Sequence, residues 1–186
     1  MDRRSSRDSP AAVGRGARGR ASPGWRGALP PAVGALDAGL RLLGRRAHSR
    51  MELRRKLGRR GYPYDEVDAA LDRLVELGYL DDASFAGGMV RQRLALRGPR
   101  AISAELAARG VDRALADEAV AGFDEAAQLV SATRLAERLY ARKPVGGYRE
   151  MLDGVGSKLV RRGFSPTVVR AACRVVLDGT AADAEA

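Results

Sequence analysis

Leu57-Gly58-Arg59-Arg60-Gly61-Tyr62 recurs in this chain as Leu106-Ala107-Ala108-Arg109-Gly110-Val111 and again as Leu159-Val160-Arg161-Arg162-Gly163-Phe164. The copies are spaced by 49 and then by 53 residues. A near-regular period of this length marks a repeat architecture, in which each unit is too small to bury its apolar face alone. Each copy reads as the end of a helix. Gly61, Gly110 and Gly163 fall at C′, where the backbone is left-handed and glycine carries no Cβ penalty. The leucine four residues earlier is C3 and the apolar residue after the glycine is C″. Contact between those two positions accompanies a Schellman motif.

The pattern extends both ways. Leu53, Ile102 and Val155 stand four residues before the leucines, which gives one apolar stripe at helical spacing. Beyond each glycine a second stripe follows at Ala70, Ala119 and Ala172, at Leu71, Val120 and Cys173, and at Leu74, Phe123 and Val176. That is a second amphipathic helix in each copy. Asp112 and Ser165 suit its N-cap, and Pro166 suits N1. The first copy has Pro63 there, followed by Asp65 and Glu66, acids suited to a first helical turn.

Ala, Leu, Arg and Glu dominate and aromatics make up 5% of the 186 residues, a composition that favours helix. No stretch alternates with period two, so the expected class is all-α, as three tandem three-helix repeats. In repeat one the spacing predicts helices over 32–45, from a Ser49 cap to Arg60, and over 65–77. Glu52 is expected to complete a capping box with Ser49. In repeat two, helices are expected over 85–96, from the Gly98-Pro99 break to Arg109, and over 113–123. In repeat three they are expected over 125–142, 148–162 and 166–177. The corresponding boundaries are 31–80, 81–124 and 125–177, preceded by an arm over 1–30 and followed by an acidic tail over 178–186.

The arm is rich in Arg, Ser, Gly and Pro and lacks apolar periodicity, so it is expected to be disordered. It carries +5 of the net +10, the tail contributes −3, and the body is therefore +8. Gly14-Arg15-Gly16-Ala17-Arg18-Gly19 matches a dinucleotide fingerprint, but no strand precedes it and no helix follows. A tail that touches nucleic acid, or a misplaced start codon, explains the segment better. No apolar run reaches the ~20 residues of a membrane span, and no apolar h-region follows the N-terminal charges. Cys173, on a repeated apolar position, reads as a core thiol and fits a reducing compartment.

Further residues carry a family resemblance. They are Arg46-Ala47-His48-Ser49-Arg50-Met51-Glu52-Leu53, Leu57 to Tyr62, and Leu77-Gly78-Tyr79-Leu80-Asp81-Asp82-Ala83-Ser84-Phe85-Ala86. Gly98-Pro99-Arg100-Ala101-Ile102, Glu105 to Val111, and Arg161-Arg162-Gly163-Phe164-Ser165 complete the set. In order and spacing these resemble the RecX family, bacterial regulators of the RecA recombinase, over about residues 35–177. The resemblance implies an elongated, curved array of three three-helix repeats. It also implies binding along the helical groove of the RecA–DNA filament. The expected effects are inhibition of ATPase, strand-exchange and coprotease activity, within DNA repair and the SOS response in the cytoplasm. The basic arm is not part of the pattern.

Enzyme chemistry finds no constellation in the sequence. Metal sites want clustered His, Cys, Asp or Glu, and this chain has one His and one Cys. His48 is expected on a solvated turn, Asp81-Asp82 as caps, and Ser49 as a cap rather than a nucleophile, so no cofactor is expected. The arginines are the functional candidates. Helical rotation puts Arg55 and Arg59 opposite Leu53 and Leu57. Arg161 takes the corresponding place in repeat three, and Arg91, Arg93, Arg97 and Arg100 flank the Gly98-Pro99 turn. Such groups suit contact with phosphate and carboxylate. The expected partners are the RecA filament and single- or double-stranded DNA reached through it, with the protein acting as a monomer. The competing reading is a helical-repeat protein that binds nucleic acid nonspecifically and without RecA.

Overall fold

A computed structural model describes the backbone of residues 33–185 and the side chains through Thr180. The N-terminal arm, with Gly14 to Gly19, lies outside the described residues. The described chain is helical. Repeat one comprises α1 (Ala35–Leu43), α2 (Arg50–Arg59) and α3 (Tyr64–Glu76), and repeat two α4 (Asp82–Arg93), α5 (Pro99–Ala108) and α6 (Arg113–Ala121). Repeat three comprises α7 (Glu125–Arg142), a middle helix in three segments, and α10 (Pro166–Glu185). The segments are α8 (Tyr148–Met151), a π turn (Leu152–Gly156) and α9 (Ser157–Arg161).

Local chemistry explains most boundaries. Ser49, Asp81, Asp112 and Asp124 accept from the first-turn amides of Glu52, Ala83, Ala114 and Ala127 at 2.7–3.1 Å. Ser165 accepts from Val168 at 3.2 Å. Gly61, Gly110 and Gly163 have φ of 89°, 81° and 88°. Each follows a Schellman pattern: the amides of Tyr62, Val111 and Phe164 donate to the carbonyls of Leu57, Leu106 and Leu159. Gly78 ends α3 the same way, with φ 73° and Tyr79 donating to the Leu74 carbonyl; the repeat pattern did not single it out.

Three differences from the sequence reading have physical causes. Glu52 does not return to the Ser49 amide, because both its oxygens are taken by other partners described below. The third middle helix is not uniform: Gly154 and Gly156 lie in its π turn, where glycine's poor α propensity lets the turn widen. Met151, Val155 and Leu159 are buried along the length of that helix. Finally, α10 runs past Leu177 to Glu185. Residues after 177 are mostly alanine and acid with no proline, so nothing in them stops a helix.

Each repeat has its own core. The first gathers Leu53, Leu57, Val67, Leu71 and Leu74, and the second Phe85, Met89, Ile102, Leu106 and Val111. The third gathers Met151, Leu159, Phe164, Val168 and Cys173. Ala119 and Val120 are only half-buried, so the second stripe is weakest in repeat two. Phe123 does not join the second core; it packs into the third, and Leu94 touches both.

The repeats meet end to end through their middle helices. The C-terminus of α5 abuts the N-terminus of α2, where the Ser49 hydroxyl donates to the Arg109 carbonyl at 2.6 Å. The C-terminus of α9 abuts the N-terminus of α5, where the Gly98 amide donates to the Arg162 carbonyl at 2.8 Å. Approach is close enough that a Cβ on Gly110 would occupy the space of the Met51 side chain, and one on Gly163 that of the Ala101 backbone. Around Gly78 nothing lies within 4 Å of such a Cβ.

The glycines therefore separate conformational from steric cost. Gly78→Ala should lose about 1–2 kcal/mol, the left-handed penalty alone. Gly110→Ala and Gly163→Ala should lose distinctly more, with a further fall in thermal midpoint of at least about 2–4 °C for each added kcal/mol. Equal midpoints for the three variants would refute end-to-end packing.

Candidate functional site

The joint between repeats one and two is polar. Besides Ser49 and Arg109, the α2 amide of Arg50 donates to Asp82 Oδ1 of α4 at 2.7 Å. Arg55 Nη1 reaches the Ala108 carbonyl at the end of α5, at 3.4 Å. Across this joint runs a chain of charges. Glu52 Oε2 takes Arg46 and His48 Nδ1, both at 3.3 Å, and its Oε1 takes Arg109 at 3.1 Å. Arg109 also reaches Glu105 at 3.0 Å, and Glu105 pairs with Arg93 at 3.3 Å and Arg97 at 3.5 Å.

Two readings from sequence change here. His48 is not on a solvated turn: it is 3% exposed, covered where the two repeats meet. Because a carboxylate only accepts, His48 Nδ1 must carry the proton it shares with Glu52. The aspartate pair does cap helices, but Asp81 caps its own α4 while Asp82 caps α2 of the neighbouring repeat. Cys173 is buried, and burial pushes its thiol pKa up, as a core thiol requires. Among the described residues no group of three or more His, Cys, Asp or Glu could hold a metal, and no helix is long and apolar enough to cross a membrane.

The seven arginines proposed from sequence do not form a single set. Arg55, Arg93 and Arg97 are engaged within the chain, as just described. Arg91 lies back over Gly87 on its own helix. Arg59, Arg100 and Arg161 are exposed, with no carboxylate paired to them among the described residues. The fold brings Arg97 and Arg161 together, with Leu96 and Arg162, around one cleft of about 390 Å³ at the second joint. Sequence reasoning missed Arg162 as a member of that cleft, and missed Glu52 and Glu105 as organisers. The pairs His48/Glu52 and Glu105/Arg109 are legible as i, i+4 spacings; the Glu52–Arg109 bridge is not.

The first and second repeats coincide with two known domains. Residues 35–74 match the family model "RecX, first three-helix domain", and residues 81–120 match "RecX, second three-helix domain". The chain is 41% identical over 147 residues to the Regulatory protein RecX of Mycobacterium ulcerans, covering 77% of this chain and 83% of that relative. The chain belongs to the RecX family. The Regulatory protein RecX of Mycolicibacterium vanbaalenii is likewise 41% identical, over 69% of this chain and 74% of that one. The crystal structure of RecX from Lactobacillus salivarius shares the fold, with a TM-score of 0.70 at 24% identity over 76% of this chain and 94% of that chain. A second crystal structure, of a regulatory protein RecX, gives 0.66 at 26% identity over 72% of this chain and 68% of that one.

In this RecX-family chain the first joint is sensitive to protons. Burial pushes the Glu52 carboxyl up, but the hydrogen bonds from His48 and Arg46 and the charges of Arg46 and Arg109 outweigh it, leaving the pKa below 4.5. Glu105 follows the same logic: burial raises it and Arg93 and Arg109 more than compensate. His48 falls below 6.5, first through burial and then through the Arg46 charge, against the opposing hydrogen bond to Glu52. The imidazole is therefore neutral at pH 7.

The signs add in one direction. A depressed histidine supports folding fully above its unfolded value of 6.5 and loses that support as pH falls toward its folded value. Depressed carboxyls hold their contribution above 4.5 and lose it as pH falls through their folded values. Stability should decline in two stages on acidification. His48→Asn, which keeps a donor toward Glu52 and cannot titrate, should abolish the stage just below pH 6.5 and keep the stage below 4.5. Urea midpoints measured from pH 7.5 to 3 check this; parallel profiles for the two proteins would contradict a neutral buried His48.

Proposed function

We propose that this chain regulates the RecA recombinase, as an inhibitor lying along the helical groove of the RecA–DNA filament. The observation that carries this reading is membership of the RecX family across two consecutive domains. The surface chemistry supports it. Arg59, Arg91, Arg100 and Arg161 stand exposed on three repeats, spread along the array rather than clustered in one pocket. A periodic partner suits such spacing: each repeat makes a small contact and simultaneous engagement supplies avidity. Arg55 serves in the first instance to hold repeats one and two in register, while Arg93 and Arg97 tie α4 and the turn after it to Glu105 within repeat two.

On this reading the protein acts in the cytoplasm as a monomer and reaches single- or double-stranded DNA through the filament. Occupying the groove restrains the movements that ATP turnover, strand exchange and coprotease activity require, within DNA repair and the SOS response. The protein does no chemistry of its own; its effect is a differential affinity for filament states.

The test is the single-stranded-DNA-dependent ATPase of the cognate RecA, titrated with the full chain at moderate salt. Inhibition is expected at substoichiometric protein. Replacing Arg59, Arg91 and Arg100 together by Ala removes three surface contacts of about 0.5–1 kcal/mol each. That should raise the half-inhibiting concentration about tenfold to hundredfold. An unchanged ATPase, or inhibition only where the protein coats the DNA by itself, would replace this reading with a nonspecific nucleic-acid binder.

A further inference from the structure

We propose that the cleft at the joint of repeats two and three is a binding site for the phosphodiester backbone of a nucleic acid. Leu96, Arg97, Arg161 and Arg162 line it. Arg97 precedes Gly98, whose amide donates to the Arg162 carbonyl at 2.8 Å, so the end-to-end contact itself brings the three arginines to one cleft.

The repeat supplies an internal control. The 49- and 53-residue offsets carry Leu96, Arg97, Arg161 and Arg162 onto Ala47, His48, Ala108 and Arg109 at the first joint. There the same junction is built with a small apolar residue, a buried neutral imidazole, an alanine, and an arginine held by Glu52 and Glu105. The joint therefore does not need three arginines. At the second joint the acid paired with them is Glu105, 3.5 Å from Arg97 and already shared with Arg93 and Arg109. Arg161 and Arg162 pair with no carboxylate among the described residues. The carbonyl end of α9 would repel an anion, but it runs directly into the amide end of α5, which offsets it.

Surplus guanidinium groups around an open cleft suit phosphate oxygens, which they bind bidentately. Leu96 is 44% exposed at the same place. An apolar wall beside three cations matches a sugar or base carried next to its phosphate, which inorganic phosphate lacks. The site rests on the reading under Proposed function only in taking nucleic acid as a partner.

The test uses the full chain without RecA. Anisotropy of a labelled single-stranded oligonucleotide gives the affinity across a salt series, and RecA ATPase inhibition is measured on the same variants. For single strands each phosphate contact contributes about 0.7 to the slope of log affinity against log salt. Arg161→Ala should lower that slope by about 0.7, and the Arg161→Ala/Arg162→Ala pair by about 1.4. Arg161→Lys should restore the slope and leave affinity reduced. Arg113→Ala, at a side chain 93% exposed on α6, removes the same charge elsewhere and should leave the slope unchanged.

An Arg161→Ala slope equal to that of the parent chain, or to that of a lowered Arg113→Ala, would overturn the site. So would an Arg161-dependent response to inorganic phosphate with no change in the oligonucleotide slope, which would mark a free-anion site. Intact ATPase inhibition alongside an unchanged slope removes the cleft and leaves the regulator. An Arg161-dependent slope in a chain that never inhibits RecA removes the regulator and leaves the cleft.

Discussion

Three short helices laid end to end organise this molecule, and what permits that is the absence of a side chain at three positions, Gly98, Gly110 and Gly163. A helix finishes with unsatisfied carbonyls and begins with unsatisfied amides. Placing one end against the other lets Ser49 and Gly98 satisfy the carbonyls of Arg109 and Arg162. Gly110 and Gly163 must turn left-handed to end their helices and must also be bare, because the preceding repeat packs on them. The conformational and the steric demand fall on one residue, so the repeat cannot end differently without losing its neighbour.

The two joints meet this geometry with different chemistry. The first is polar, with Asp82 and Arg55 satisfying helix ends across the boundary and Glu52, Arg109 and Glu105 alternating in charge. The second is apolar in its support: Phe123 leaves its own repeat for the third core, and Leu94 bridges two cores. An apolar joint holds without charges. At its edge Arg161 and Arg162 pair with no carboxylate among the described residues, whereas at the first joint Arg109 is drawn into the chain's own network. Protons and salt act mainly on the first joint, since its parts are ionic and partly exposed.

This division of labour bears on how a RecX-family chain can present a contact surface along its length. A row of small cores with narrow joints presents an extended surface, with exposed arginines on each of its three repeats. The arginines inside the joints set the relative placement of the ones outside. A substitution at Arg109 or Glu105 would therefore act on binding indirectly, through repeat orientation.

Much of this was legible in the sequence because the deciding features are local. A glycine at C′, a leucine four residues before it and a cap three or four residues before a stripe are all one-helix properties, and they located the helix ends at Gly61, Gly110 and Gly163 and the starts at Asp112 and Ser165. Charge pairs within one helix, such as Glu105 with Arg109, were readable for the same reason. The burial of His48 was not, because it lies where two repeats meet. Nor were the redirection of Glu52 from its own cap to Arg109, the transfer of Phe123 to the third core, or the meeting of Arg97 with Arg161 and Arg162. Each depends on how one repeat rotates onto the next. Periodicity states which face of a helix is apolar; only packing states which distant residue that helix end will touch.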